Sequence, residues 1–175
     1  MGKALLIIDM LNDFVSDHAP LKVKGAKEII PNIKKQIKKA RKNKIPIIYL
    51  CDRHKNDNTE FSIWPKHAIE GTGGAEIVAQ LKPSKEDIII HKTTYSGFFK
   101  TELEQILKQK NIDELIITGV ATNICVLYTA ADAYMRGYKV SVPEDCVVGI
   151  TPEDHKFALR QIKEVLKSST EVHPN

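Results

Sequence analysis

Four separate stretches of this 175-residue chain carry side chains that can do chemistry together. Asp9 ends the aliphatic run ALLIID, Asp52 and His54 follow IPIIYLC, Lys92 ends DIIIHK, and Cys125 lies in GVATNIC after ELIITGV. A cysteine served by a carboxylate and an ammonium is the pattern of a nucleophile with an acid–base partner and an electrostatic support. Thr122 or Asn123 can cap the helix that follows, which puts Cys125 in a first turn where the helix dipole favours thiolate. The same turn can aim free backbone N–H groups at a substrate carbonyl oxygen. Asp52 and His54 stand two apart at a strand end, so their side chains point to one side. With His67 of WPKH they can hold Zn, Fe or Mn and leave coordination positions open, and Glu60 can serve as a fourth ligand.

Taken singly, each residue has a plainer reading. Asp9 can cap a turn, Lys92 can lie at the surface, Cys125 can be a small core residue, and the histidines can be incidental to a polar loop. Their placement weighs against this, because the first four groups all fall at or just beyond the carboxyl end of a predicted strand. Cys51, inside an apolar strand, and Cys146, after an acidic pair, read as structural. His91, His155 and His173 show no partner pattern.

The elements that must place these residues alternate. Strands are predicted over 4–9, 45–52, 87–92, 114–120 and 138–143, with a short last strand over 170–172. Between them, Pro31 can open a helix marked by Ile33, Ile37 and Ala40. Residues 101–110 read as a helix with Leu103, Ile106 and Leu107 inward, and 123–136 as a helix closed by Gly137. Thr151-Pro152-Glu153 starts a helix carrying Phe157, Leu159, Ile162, Val165 and Leu166. Strands apolar on both faces, alternating with helices, predict an α/β protein with three layers. A mostly parallel sheet carries helices on both faces, in one domain over 1–175. The carboxyl ends of such strands share one edge, and ligands bind there. Residues 52–74 form a polar connection long enough to suggest function.

Composition narrows the partners. With 42% hydrophobic and 27% charged residues the chain reads as globular. The apolar run Ala4 to Ile8 is far too short to span a bilayer and no cleavable signal pattern is visible, so a cytoplasmic protein without a membrane partner is expected. The net charge of +4 is concentrated in Lys34 to Lys44, where Ile37 and Ala40 recur at helical spacing without aromatic residues. That is the pattern of a solvated helix face, and no nucleic acid is expected. Three scattered cysteines do not make a disulfide framework.

As a set, IIDMLNDF around Asp9, DRH at 52–54, WPKH with EGTGGAEI, KTTYSGF from Lys92 and GVATNICV around Cys125 resemble the isochorismatase-like cysteine hydrolases. Within these they are most similar to the nicotinamidases and pyrazinamidases. The resemblance implies a catalytic triad of Asp9, Lys92 and Cys125, a cis peptide at Val120–Ala121, and an oxyanion hole from the N–H groups of Ala121 and Cys125. It further implies a divalent metal on Asp52, His54 and His67, zinc first with iron or manganese as alternatives, and a ligand ring held between Phe14 and Trp64. The implied reaction turns nicotinamide into nicotinate and ammonia through a thioester, in NAD salvage, and the expected assembly is a homo-oligomer. The chain departs from nicotinamidases at Asn123-Ile124, where an acidic residue and tyrosine are usual, at Ala68, where cysteine is common, and in the short Lys92 to Tyr95 loop. The alternatives are a related hydrolase of another small amide, carbamoyl compound or vinyl ether, and a non-catalytic small-molecule binder.

Overall fold

A computed structural model describes residues 2–172, so His173 lies outside the described residues. The strands are β1 (Gly2–Ile8), β2 (Ile47–Asp52), β3 (Ile88–Lys92), β4 (Ile112–Val120), β5 (Lys139–Ser141) and β6 (Val147–Val148). The helices are α1 (Asn12–Val15), α2 (Ile30–Lys42), α3 (Leu103–Gln109), α4 (Leu127–Met135) and α5 (Pro152–Arg160). The sheet runs β3-β2-β1-β4-β5, with β6 also on β4, and every strand pair is parallel.

The three layers follow from strand alternation. Leu5 and Ile7 point to one face, where they meet Ile33, Ile37 and Ala40 of α2. Leu6 and Ile8 point to the other, against Leu103 and Leu107 of α3 and Ala130 and Ala133 of α4. Each such fully buried aliphatic side chain stabilises the fold by about 1.5–3 kcal/mol. On α2 the lysines 34, 35, 38 and 39 are exposed opposite the buried stripe, so the basic run is a solvated face.

The sheet changes direction at β1. The chain steps outward from β1 to β2 and β3, then returns to place β4 on the other side of β1. Such a switch point leaves a crevice at the carboxyl ends of the strands. Gly119 makes this possible: at φ +108° it lies so close to β1 that a Cβ there would sit 2.0 Å from the Ile8 carbonyl oxygen.

Several expected elements differ. No strand forms over 170–172; Ser169 makes one bridge to Ser141 instead. The helix expected over 123–136 is divided into a π-turn, Thr122–Val126, and α4. In the last helical segment Ile162 is fully buried, but Phe157 and Val165 are half exposed, since the layer beneath α5 is already filled by Ala158 and Ile162. The short elements α1 and β6 carry too little periodicity to be read from sequence.

Candidate active site

Each reactive side chain is delivered by the end of a strand. Asp9 follows β1 with φ +50°, a left-handed conformation that aspartate tolerates better than most residues. Asp52 and Lys92 end β2 and β3 and stand opposite one another in the strand register. Cys125 sits in the π-turn beyond β4. The peptide between Val120 and Ala121 is cis.

These groups interlock. Lys92 Nζ lies 2.7 Å from Asp9 Oδ2 and 3.5 Å from Cys125 Sγ, donates to the Thr94 carbonyl at 3.1 Å, and is ion-paired with Asp52 Oδ1. Asp9 Oδ1 accepts the Asp52 backbone N–H at 2.8 Å. Asp9 Oδ2 meets the ammonium as a charge contact outside hydrogen-bond geometry, so its lone pairs are free for another donor. Asp9, Asp52 and Cys125 each present an atom within 4.8 Å of the others.

Burial shapes the charges. It raises the Asp9 carboxyl to about 6, helped by the Asp52 charge and opposed by Lys92. Burial also pushes against ionised Asp52, but Lys92 and the two histidines outweigh it and hold that carboxyl well below the usual range. It disfavours the Lys92 charge too, yet Asp52 and Asp9 keep the amine firmly protonated. The Cys125 thiol is driven well above its ordinary range by burial; Lys92 opposes this, and Asp9 and Asp52 reinforce it. Burial thus works against the thiolate that the helix-terminus reading favours, and Lys92 works for it. Helix capping differs as well. Thr122 Oγ1 is 2.9 Å from His155 Nδ1, and Asn123 Oδ1 accepts the Ile150 N–H, so neither side chain caps the turn.

Beside this cluster, Asp52 Oδ2 lies 3.7 Å from His54 Nε2 and 3.8 Å from His67 Nε2. Glu60 Oε1 is 3.9 Å from His67 Nε2, and burial raises the Glu60 carboxyl. The three ligand atoms of Asp52, His54 and His67 fall within 4.8 Å of one another. His54 Nε2 is buried without a hydrogen-bond partner, which is costly unless something else satisfies it. His67 Nδ1 donates to the Pro65 carbonyl at 2.7 Å, leaving Nε2 with a free lone pair. A buried orphan nitrogen, a second nitrogen fixed as acceptor and a carboxylate oxygen together fit a divalent cation.

A cavity of about 230 Å³ opens onto both clusters, with Asp9, Cys125, Asp52 and His67 on its lining. Phe14 and Trp64 both face it, and Phe14 meets the His67 ring edge-on at 5.5 Å. Ile124, Ile150 and Tyr95 also line it. Tyr95 accepts a hydrogen bond from Trp64 Nε1 at 3.1 Å and stacks on Tyr128. Its signal was present in KTTYSGF, three residues beyond Lys92; Ile150 gave none, because it reaches the cavity from a distant loop. A larger groove, about 750 Å³, lies at the opposite end of the sheet around Gly2, Lys39 and Lys110, far from these groups.

Comparison with known proteins places this geometry. The isochorismatase domain matches residues 3–172, and the chain belongs to the isochorismatase family of hydrolases. An uncharacterized isochorismatase family protein of Bacillus subtilis is 35% identical over 94% of this chain and 90% of its own. A ureidoacrylate amidohydrolase of Caulobacter segnis is 31% identical over 86% and 74%. Among solved structures, the nicotinamidase of Bacillus subtilis superposes with a TM-score of 0.92 at 33% identity, covering 97% of this chain and 98% of that one. The pyrazinamidase of Pyrococcus horikoshii in complex with zinc gives the same TM-score, identity and coverage.

Proposed function

We propose that this chain is a metal-containing cysteine amidohydrolase that converts nicotinamide to nicotinate and ammonia, a step of NAD salvage in the cytoplasm. One observation carries the reading: Asp9 and Cys125, both in contact with the buried Lys92 ammonium, line a cavity that Asp52 and His67 of the Asp52, His54 and His67 donor set also line. In this reading Asp9, on the ionised side at neutral pH, accepts the Cys125 proton as Sγ attacks the amide carbon. The N–H groups of Ala121 and Cys125 receive the developing oxyanion. The C–N bond breaks, Asp9 returns its proton to the departing ammonia, and a thioester remains on Cys125. Asp9 then takes a proton from water as the water attacks that thioester, and gives it to the Cys125 sulfur as the C–S bond breaks; the acid formed loses its remaining proton to solvent as nicotinate. Lys92 holds Asp9 in place and compensates negative charge on sulfur. Asp52, His54 and His67 would hold the divalent cation, zinc first among the candidates, with Glu60 beside it. When bound, the cation supplies an open coordination position for a ring nitrogen. Phe14 and Trp64 face the ring. The half-exposed Tyr128 and the exposed Met135, one face apart by two turns of α4, support a homo-oligomer.

A second reading, a hydrolase of a carbamoyl compound, draws on the ureidoacrylate relative and on Ile124 standing in the cavity where nicotinamidases usually carry tyrosine. Ammonia release from nicotinamide and benzamide by the metal-loaded protein separates the two. Nicotinamide is expected to be the better substrate by as much as roughly 10,000-fold, since only its ring nitrogen can make the polar contact; shape alone gives perhaps 10- to 200-fold. Equal kcat/KM values would remove the ring nitrogen from recognition. Activity on ureidoacrylate and none on nicotinamide would establish the second reading.

A further inference from the structure

We propose that Asp13 is a positioning residue for the metal site: its carboxylate clamps the peptide that follows His67 and so fixes where that imidazole points. The inference rests on the metal reading above but concerns a residue that is not a ligand. Asp13 lies on α1, and its Oδ2 accepts the backbone N–H of Ala68 at 2.8 Å. That N–H belongs to the peptide unit joined to the His67 Cα, so holding it fixes the direction in which the chain leaves His67. Ala68 itself is fully buried at φ +45°, a conformation an alanine adopts only when its surroundings impose it.

The restraint extends to the other histidine. The Ala68 carbonyl accepts the His54 N–H at 2.9 Å, and the His54 carbonyl accepts the Glu70 N–H at 2.9 Å. Residues 68–70 thus tie the two imidazole-bearing backbones together, and Asp13 anchors that tie to α1. The carboxylate is held in turn from the far side. At Gly74 a Cβ would lie 2.2 Å from Asp13 Oδ2, so only glycine leaves the acid in place. Asn12 fastens the same loop by donating Nδ2 to the Gly73 carbonyl at 2.7 Å. The acidic residue in LNDF and the last glycine of GTGG are two sides of one clamp.

Two variants disturb the clamp by different routes. Asp13→Ala removes the acceptor, and Gly74→Ala keeps it but pushes it aside. Asp13→Asn retains a side-chain oxygen for the Ala68 N–H. Zn²⁺ binding to the chelator-treated, full-length proteins is measured by calorimetry, with Co²⁺ absorption reporting ligand geometry. Loss of an outer group that orients a ligand weakens metal binding by about 10- to 100-fold. A loss of that size is expected in Asp13→Ala and Gly74→Ala, with an altered Co²⁺ spectrum, and binding within about threefold of wild type in Asp13→Asn. If Asp13→Ala does not fold, the comparison of Gly74→Ala with Asp13→Asn decides. Wild-type affinity in Gly74→Ala, or equal weakening in Asp13→Asn, overturns the clamp. The site reading has its own control: wild-type protein should bind one Zn²⁺ per chain and His54→Ala/His67→Ala none. Absence of binding by wild type overturns that reading, and the clamp with it.

Discussion

At the scale of single residues, the proposed reaction turns on how the buried Asp9 carboxylate and the buried Cys125 thiol share one proton. Cys125→Ser keeps nearly the same shape, so the fold should survive, but a hydroxyl surrenders its proton far less readily than a thiol. Turnover should vanish while the thermal transition stays within a few degrees of wild type; near-normal ammonia release would show that Cys125 is not the nucleophile. Asp9→Asn can neither take the thiol proton nor return it, and a loss of about 100- to 10,000-fold in kcat is expected. A loss below about threefold would transfer the base role elsewhere. The reactive side chains were legible because type and location coincided: Asp9, Asp52, Lys92 and the turn before Cys125 each end an aliphatic run. The burial that opposes ionisation of the Cys125 thiol was not legible. It depends on how much water the fold removes and on two carboxylates meeting one ammonium, neither of which a linear sequence displays.

Elements were legible wherever periodicity was strong. The buried alternation of β1 and the Ile33, Ile37, Ala40 stripe of α2 define the layers, and both stand where the pattern placed them. Short pieces escaped because a few residues carry no period: α1 holds the Asp13 clamp, and β6 completes the sheet beside β4. The half-exposed Phe157 and Val165 show that an apolar residue in a helix need not face the core. Gly119 carries the most exacting demand of any element, because β4 must approach β1 there for the crevice to form. Gly119→Ala combines a strained φ with a backbone collision at 2.0 Å, and should cost upwards of about 2 kcal/mol. The measurement is the denaturant midpoint at unchanged slope. Gly137→Ala provides the comparison: φ is +86° but nothing lies within 4 Å of the added Cβ, so the cost should stay near 1 kcal/mol. Equal midpoints in the two variants would show that the close approach of β4 to β1 is not what requires glycine.

For the whole molecule, the outer surface is divided. The lysine face of α2 is evenly solvated, whereas α4 leaves Tyr128 51% and Met135 75% exposed seven residues apart on one side of the helix. Among the described residues no helix is long and apolar enough to cross a membrane. Light scattering should give a mass that is a multiple of 19.7 kDa, and Met135→Glu should shift it toward the single-chain value. A wild-type mass of one chain at micromolar concentration would refute self-association. The proposed assembly has no residue-level signature in the sequence, because a stripe that buries a helix and a stripe that joins two molecules look alike there.

Asp52 has a consequence for ancestry. One of its oxygens serves Lys92 and the other faces the two imidazoles, so it is a party wall between the ion cluster and the cation site. If the proposed cation is bound here, a related lineage without it would still need this aspartate to hold its lysine, while the ligand role would no longer preserve the histidines. Retention of the aspartate alone therefore says little about metal in any related sequence. The histidines mark that inheritance, and with them the acid in LNDF and the glycine that keeps it in place.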